Sequence, residues 1–164
     1  MARVGVTGHV RLAQGTAALI HRALREALAP FAGPDLVGVT CLAAGSDQIF
    51  ARAVLDLGGR IEVVLPAADY REAGIEAEDR VDFDSLIDVA AAVFRTGYDS
   101  SGPDAYRAAS EVVIGRSERL LAVWDGSTDE YSGGTGDAVA RARSIGVPVE
   151  VVWPAGAQRS RPRV

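Results

Sequence analysis

Short apolar runs alternate with helix-spaced stripes along the whole of this chain, and that alternation decides what it can fold into. Residues 3–7 read as a buried strand ending at Gly8. Ile20, Leu24, Leu28 and Phe31 then recur at helical spacing, and Pro30 and the Gly33-Pro34 pair stop that helix. The unit repeats with a strand over 36–42, a stripe of Phe50, Ala53, Val54 and Leu57 closed by Gly58-Gly59, and a strand over 61–65 stopped by Pro66. The middle is less regular. A polar, acidic loop with a short helix covers 67–79, Phe83, Leu86, Ile87, Ala90 and Ala91 mark a helix, and 92–96 is a short strand. After a loop over 97–103, Ala105, Ala109, Val112 and Val113 mark another helix. The series closes with a strand over 120–124, a helix over 135–145 and a last strand over 147–153.

Strands that alternate with helices imply a mostly parallel sheet covered on both faces. The near-continuous apolar character of the strands agrees, because both faces of such strands are buried. The expectation is one doubly wound α/β domain over residues 1–154. A disordered basic tail over 155–164, carrying Arg159, Arg161 and Arg163, follows it.

Charge composition narrows the chemistry. All 17 basic residues are arginine and lysine is absent. Schiff-base chemistry is therefore excluded, and so is a P-loop of the G-x-x-x-x-G-K-[ST] type. Any bound phosphate must be held by backbone N–H groups, hydroxyls or arginine. The net charge of −5 speaks against a nucleic-acid partner. One cysteine, Cys41, and two histidines, His9 and His21, give no basis for a disulfide or a metal site. No cofactor is implied. No apolar stretch is long enough for a signal peptide or a membrane span, so the expected compartment is the cytoplasm.

In a sheet of this kind the ligand site lies beyond the carboxyl ends of the strands, so residues directly after strands carry the information. Three segments stand out. In the first, Gly8 permits a tight turn and close backbone approach to a ligand, and His9 can bond a ligand or move a proton. A helix-entry turn with an exposed histidine is the plain alternative. The second is Gly45-Ser46-Asp47, where Ser46 or Asp47 can cap a helix while the same geometry offers backbone N–H groups to an anion. The third joins Asp125-Gly126, after a strand, to Gly133-Gly134-Thr135-Gly136-Asp137 before a helix. Three glycines in four positions bare the backbone at a helix N-terminus, which suits phosphate. A loop merely capped by Thr135 is the alternative there.

Val4-Gly5-Val6-Thr7-Gly8-His9, Ala44-Gly45-Ser46-Asp47, Val64-Leu65-Pro66 with Tyr70, Leu121-Ala122-Val123-Trp124-Asp125-Gly126 and Gly133-Gly134-Thr135 follow one another in an order that resembles the SLOG superfamily. This Rossmann-like group includes the LOG ("lysine decarboxylase-like") proteins and the nucleotide-binding core of DprA. The resemblance covers nearly the whole chain up to the tail. It implies that the glycine-rich loop binds the phosphate of a nucleotide or nucleotide-derived ligand, with the turns after the first two strands, Pro66 and Tyr70 completing the pocket. It also implies homo-oligomers, as in LOG dimers. LOG enzymes carry P-G-G-x-G-T-x-x-E and cleave the N-glycosidic bond of nucleoside 5′-monophosphates. Here Ser132 replaces the proline, Asp137 the threonine and Ala140 the glutamate.

Three functions follow. The first is nucleotide binding, as a sensor of such a ligand. The second is a LOG-like hydrolase, with Asp137, Asp125 and His9 as the candidate carboxylates and acid/base group. The third is an interaction module with a vestigial pocket. The remaining features read as structural: Trp124, Phe50, Phe83 and Phe94 as core, Cys41 as buried and inert, and Glu72, Glu76, Glu78, Asp79, Asp82 and Asp84 as a solvated face. For Tyr70, stacking on a base and packing are both open.

Overall fold

The computed structural model describes residues 1–127 and 134–160. Six parallel strands form one open sheet: β1 (Ala2–Gly8), β2 (Leu36–Thr40), β3 (Arg60–Leu65), β4 (Ala92–Arg95), β5 (Arg119–Val123) and β6 (Val149–Val151), in the order β4-β3-β2-β1-β5-β6. The helices between them are α1 (Thr16–Leu28), α2 (Ser46–Asp56), the single turn α3 (Tyr70–Ala73), α4 (Arg80–Val89), α5 (Pro103–Gly115) and α6 (Thr135–Ser144). Each strand expected from the sequence is present, with the last one shorter than its apolar run.

Period-two alternation sorts the strand side chains onto the two faces. In β3, Ile61 and Val63 join the core under α1, α2 and α4, while Val64 joins the core under α5 and α6. In β5, Leu121 and Val123 take the first side and Leu120 the second. Ile20, Leu24 and Leu28 form the stripe of α1, and Phe50, Ala53 and Val54 that of α2, all of them fully buried. Phe50 and Phe83 are core as expected. Phe94 and Trp124 are only half-buried. The Arg116 guanidinium covers the ring of Phe94 at 4.1 Å, and the indole N–H of Trp124 donates to the Ser127 carbonyl at 3.1 Å.

The strand order reverses at β1, which pairs with β2 on one side and β5 on the other. A crevice between β1 and β5 is the site such a topology provides. The stretch expected to be a disordered tail differs from that reading over 155–160. These residues run back along the loop before α1, where Leu12 and Arg159 form an antiparallel bridge and the Ala13 N–H donates to the Gln158 carbonyl at 2.8 Å. Backbone pairing of this kind leaves no periodicity to read in a short polar segment. Residues 161–164 lie outside the described residues. No helix among the described residues is long and apolar enough to cross a membrane.

Candidate functional site

A cleft of about 790 Å³ opens over the carboxyl ends of β1, β2 and β3. It brings together Gly8 and His9 after β1, Asp47 on α2, Pro66 after β3, Tyr70 on α3, and Gly134 and Thr135 at the start of α6. These segments lie far apart in sequence and were each read as site elements. Arg11, which follows the first of these turns and can meet a phosphate or carboxylate through its guanidinium fork, lines it too, and so do Cys41, Tyr106, Arg159 and Ser160, which sequence reading did not assign to the site.

The turns after β1 and β2 are locked together. Ser46 is fully buried, and both its hydroxyl, at 2.7 Å, and its backbone N–H, at 3.3 Å, donate to the carbonyl of His9. Gly8 ends β1 without a left-handed turn. What it supplies is room, because a Cβ there would sit 2.6 Å from the Ser46 Cβ and 2.8 Å from the Val123 Cβ. Gly45 is left-handed, with φ +76°, and a Cβ on it would lie 2.3 Å from the Val10 carbonyl oxygen. It also occupies the N-cap of α2. The expected capping by Ser46 or Asp47 is therefore not made, and both side chains turn elsewhere.

Asp47 folds back under the loop after β2 and accepts the Ala43 N–H at 3.3 Å. Burial pushes its pKa up to about 7, against hydrogen bonds from Ala43, Cys41 and Thr40 that pull it down. The same loop holds Leu42 at φ +56°, fully buried. Its N–H donates to Thr40 Oγ1 at 3.0 Å and its carbonyl accepts from Gln48 Nε2 at 3.2 Å. A bulky residue held left-handed by buried polar contacts marks a loop whose shape is over-determined. Cys41 is half-buried on the cleft wall, not fully enclosed. Burial, and then the nearby Asp47, push its thiol well up, which disfavours the thiolate form.

Tyr70 is buried, its ring edge-on to Phe83 at 6.0 Å and to Tyr106 at 6.2 Å. That packing gives Tyr70 a structural role, and the same residue also lines the cleft. Its hydroxyl has no hydrogen-bond partner among the described residues.

His9 is 3 % exposed, not on the surface, with its ring edge-on to Trp153 at 5.6 Å. Its Nε2 lies 3.1 Å from Asp125 Oδ1 and 3.2 Å from the Asp125 N–H. A ring nitrogen donates or accepts but not both, so the proton on Nε2 decides which of the two is a hydrogen bond. Burial raises the Asp125 carboxyl, but the N–H and hydroxyl of Ser127 and the ring of His9 outweigh it, and the group stays below the usual carboxylate range. Gly126, at φ +86°, follows in an open turn and does not line the cleft.

At α6 the N-cap is Gly134, and no side-chain cap bond is made there. Thr135 is buried against the cleft and Gly136 lies in the first turn. Gly133 and Ser132 fall outside the described residues. Asp137 is exposed and does not line this cleft. It faces a separate groove between α5 and α6, beside Arg107, Glu111 and Arg141.

No protein-family model matches the chain, and no curated protein is significantly similar in sequence. Solved structures do match. The structural-genomics target TM1055 superposes with a TM-score of 0.58 at 19 % identity, over 91 % of this chain and 72 % of that one. DNA processing protein A (DprA) from Streptococcus pneumoniae gives 0.65 at 16 % identity, over 92 % of this chain. The molybdenum cofactor binding protein from Rippkaea orientalis gives 0.60 at 18 % identity, over 92 % of this chain and 75 % of that one. The chain shares their fold. It spans half the length of DNA processing protein A. The resemblance to the SLOG group, read from strand-end motifs, thus holds at the level of fold.

Proposed function

We propose that the cleft binds a nucleotide or nucleotide-derived ligand by its phosphate. One observation carries this reading. The Gly134–Thr135 turn shares a cleft with two arginines, Arg11 and Arg159, in a chain whose net charge is −5. Among the described residues, the charged ones lining that cleft are these two arginines and Asp47, whose carboxyl is pushed up to about 7. The balance among these described residues is opposite in sign to that of the whole chain. Backbone N–H groups at a helix start and arginine are the donors a lysine-free protein has for phosphate. The walls formed by Pro66, Tyr106, Val113, Ile114 and Leu120 suit an apolar ring system. A sensor needs no more than this.

The test is thermal unfolding of the protein with nucleoside mono- and diphosphates and with molybdenum cofactor. The last is included because one protein of this fold is described as binding it. A ligand at 100 times its Kd adds about 2.7 kcal/mol, which raises Tm by roughly 5–10 °C for a domain of this size. No rise with any of them removes the proposal.

The pairing of His9 with Asp125 favours a second reading, the LOG-like hydrolysis of nucleoside 5′-monophosphates. Water would add to the anomeric carbon as the C–N bond breaks, and the base would leave with a proton. An ionised Asp125 behind a buried imidazole orients that imidazole for proton transfer. Asp137 lines the groove between α5 and α6, so this reading draws on His9 and Asp125. Chromatography of nucleoside monophosphates incubated with the protein should show free base, lost in Asp125→Asn and His9→Ala. Intact nucleotide after long incubation with the unaltered protein would leave binding alone.

A further inference from the structure

The structure assigns the segment 155–160 to the ligand site: we propose that it is a strap that holds Arg159 on the cleft as the cation meeting the ligand's anionic group. This inference rests on the cleft taking a phosphorylated or otherwise anionic ligand, as proposed above.

The strap is fastened along its length. The Ala157 N–H donates to the Pro154 carbonyl at 3.0 Å, and Ala13 donates to Gln158 at 2.8 Å. The Gln158 N–H donates to Thr16 Oγ1 at 3.0 Å, and the Ser160 N–H to the Arg11 carbonyl at 3.2 Å. Ala157 packs against the main core. These bonds tie the strap to the loop that carries Arg11, so both cleft arginines sit on one paired unit. The side chain of Arg159 then reaches across to the loop after β5, where Nη1 lies 3.7 Å from Asp125 Oδ2 and 3.4 Å from Ser127 Oγ. The guanidinium therefore stands where the strand order reverses, beside the carboxylate that also contacts His9.

A guanidinium carries five N–H donors in a planar fork, and phosphate oxygens fit that fork. Exposed arginines far from any cleft gain little by being tied down. Ordering six residues of backbone costs free energy, and here it places one cation at the ligand crevice. Asp125 contributes a fixed orientation to the Arg159 guanidinium, which lines the cleft together with Arg11.

The experiment compares unaltered protein with Arg159→Gln and Arg159→Lys by calorimetry. The probes are nucleoside 5′-monophosphates, the matching nucleosides and inorganic pyrophosphate. Arg159→Gln should weaken monophosphate and pyrophosphate binding by about tenfold or more, the scale of a charge-assisted hydrogen bond, and leave nucleoside binding unchanged. Arg159→Lys should recover part of the loss. Pyrophosphate should slow amide exchange over 155–160 in the unaltered protein and not in Arg159→Gln. The strap assignment is overturned if Arg159→Gln binds monophosphates like the unaltered protein, or if it loses nucleoside and nucleotide alike. Binding of pyrophosphate without any nucleotide, abolished by Arg159→Gln, would uphold the strap and sink the nucleotide reading. No binding of any probe overturns both.

Discussion

The hydroxyl of Ser46 donates a 2.7 Å hydrogen bond to the carbonyl oxygen of His9, tying the turn after β2 to the turn after β1. Both partners are buried, so neither can turn to water instead. Ser46→Ala removes the hydroxyl and leaves the carbonyl with the longer bond from the Ser46 N–H. The expected cost is about 1–2 kcal/mol, read as a lower urea midpoint with an unchanged m-value. Ligand binding should weaken as well, because His9 lines the cleft. A midpoint equal to that of the unaltered protein would show that the two turns hold together without this bond.

Gly45 tests the same junction through the backbone. A Cβ at this position would meet the Val10 carbonyl oxygen at 2.3 Å, and the φ of +76° disfavours any L side chain. Backbone oxygen cannot swing aside as a flexible side chain can. Gly45→Ala should therefore cost more than Ser46→Ala, about 2–4 kcal/mol from strain and displacement together. A melting curve within error of the unaltered protein would disprove the close approach.

The sequence revealed the places where β strands stop, and the fold gathers several of those places around one cleft. Gly8, Asp47, Pro66 and Thr135 could be picked out because a ligand crevice in a parallel sheet lies beyond strand ends. Arg159 could not. Its position depends on pairing between residues 158–160 and 11–13, a long-range contact that leaves no periodic trace in either segment. Asp47 was visible as a cap, the commonest role of an acid before a helix, and only the packing of Gln48, Leu42 and Thr40 shows it turned inward. Cys41 was read as buried and inert, and Tyr106 on α5 carried no motif that marks it, because exposure to the cleft follows from how helices and sheet pack.

Leu42 sets two effects against each other. Its left-handed backbone, at φ +56°, costs about 1–2 kcal/mol. Its side chain is fully buried, and deleting such a side chain costs about 2–5 kcal/mol. Leu42→Gly relieves the first and suffers the second, while also loosening the unfolded chain. Packing should win, with a net loss of about 2–4 kcal/mol by urea unfolding. A neutral or stabilising result would mean that strain, not packing, dominates this loop.

Asp47 makes stability depend on pH in a direction opposite to that of a paired carboxylate. Its folded pKa of about 7 lies above its ordinary 3.8, chiefly because burial disfavours the charge. The folded state therefore holds this proton more tightly than the unfolded chain, and stability falls as pH rises from near 4 to near 7. The full penalty is on the order of 4 kcal/mol, at 1.36 kcal/mol per unit. Asp84 and Asp125, with lowered values, act in the opposite sense. The difference between the unaltered protein and Asp47→Asn isolates the one group. Asparagine keeps an oxygen to accept the Ala43 N–H and carries no charge. Urea midpoints measured from about pH 4 to about pH 8 should show Asp47→Asn gaining steadily on the unaltered protein. Curves that stay parallel across that range would show that Asp47 keeps its charge in the folded state, stabilised by its backbone donors.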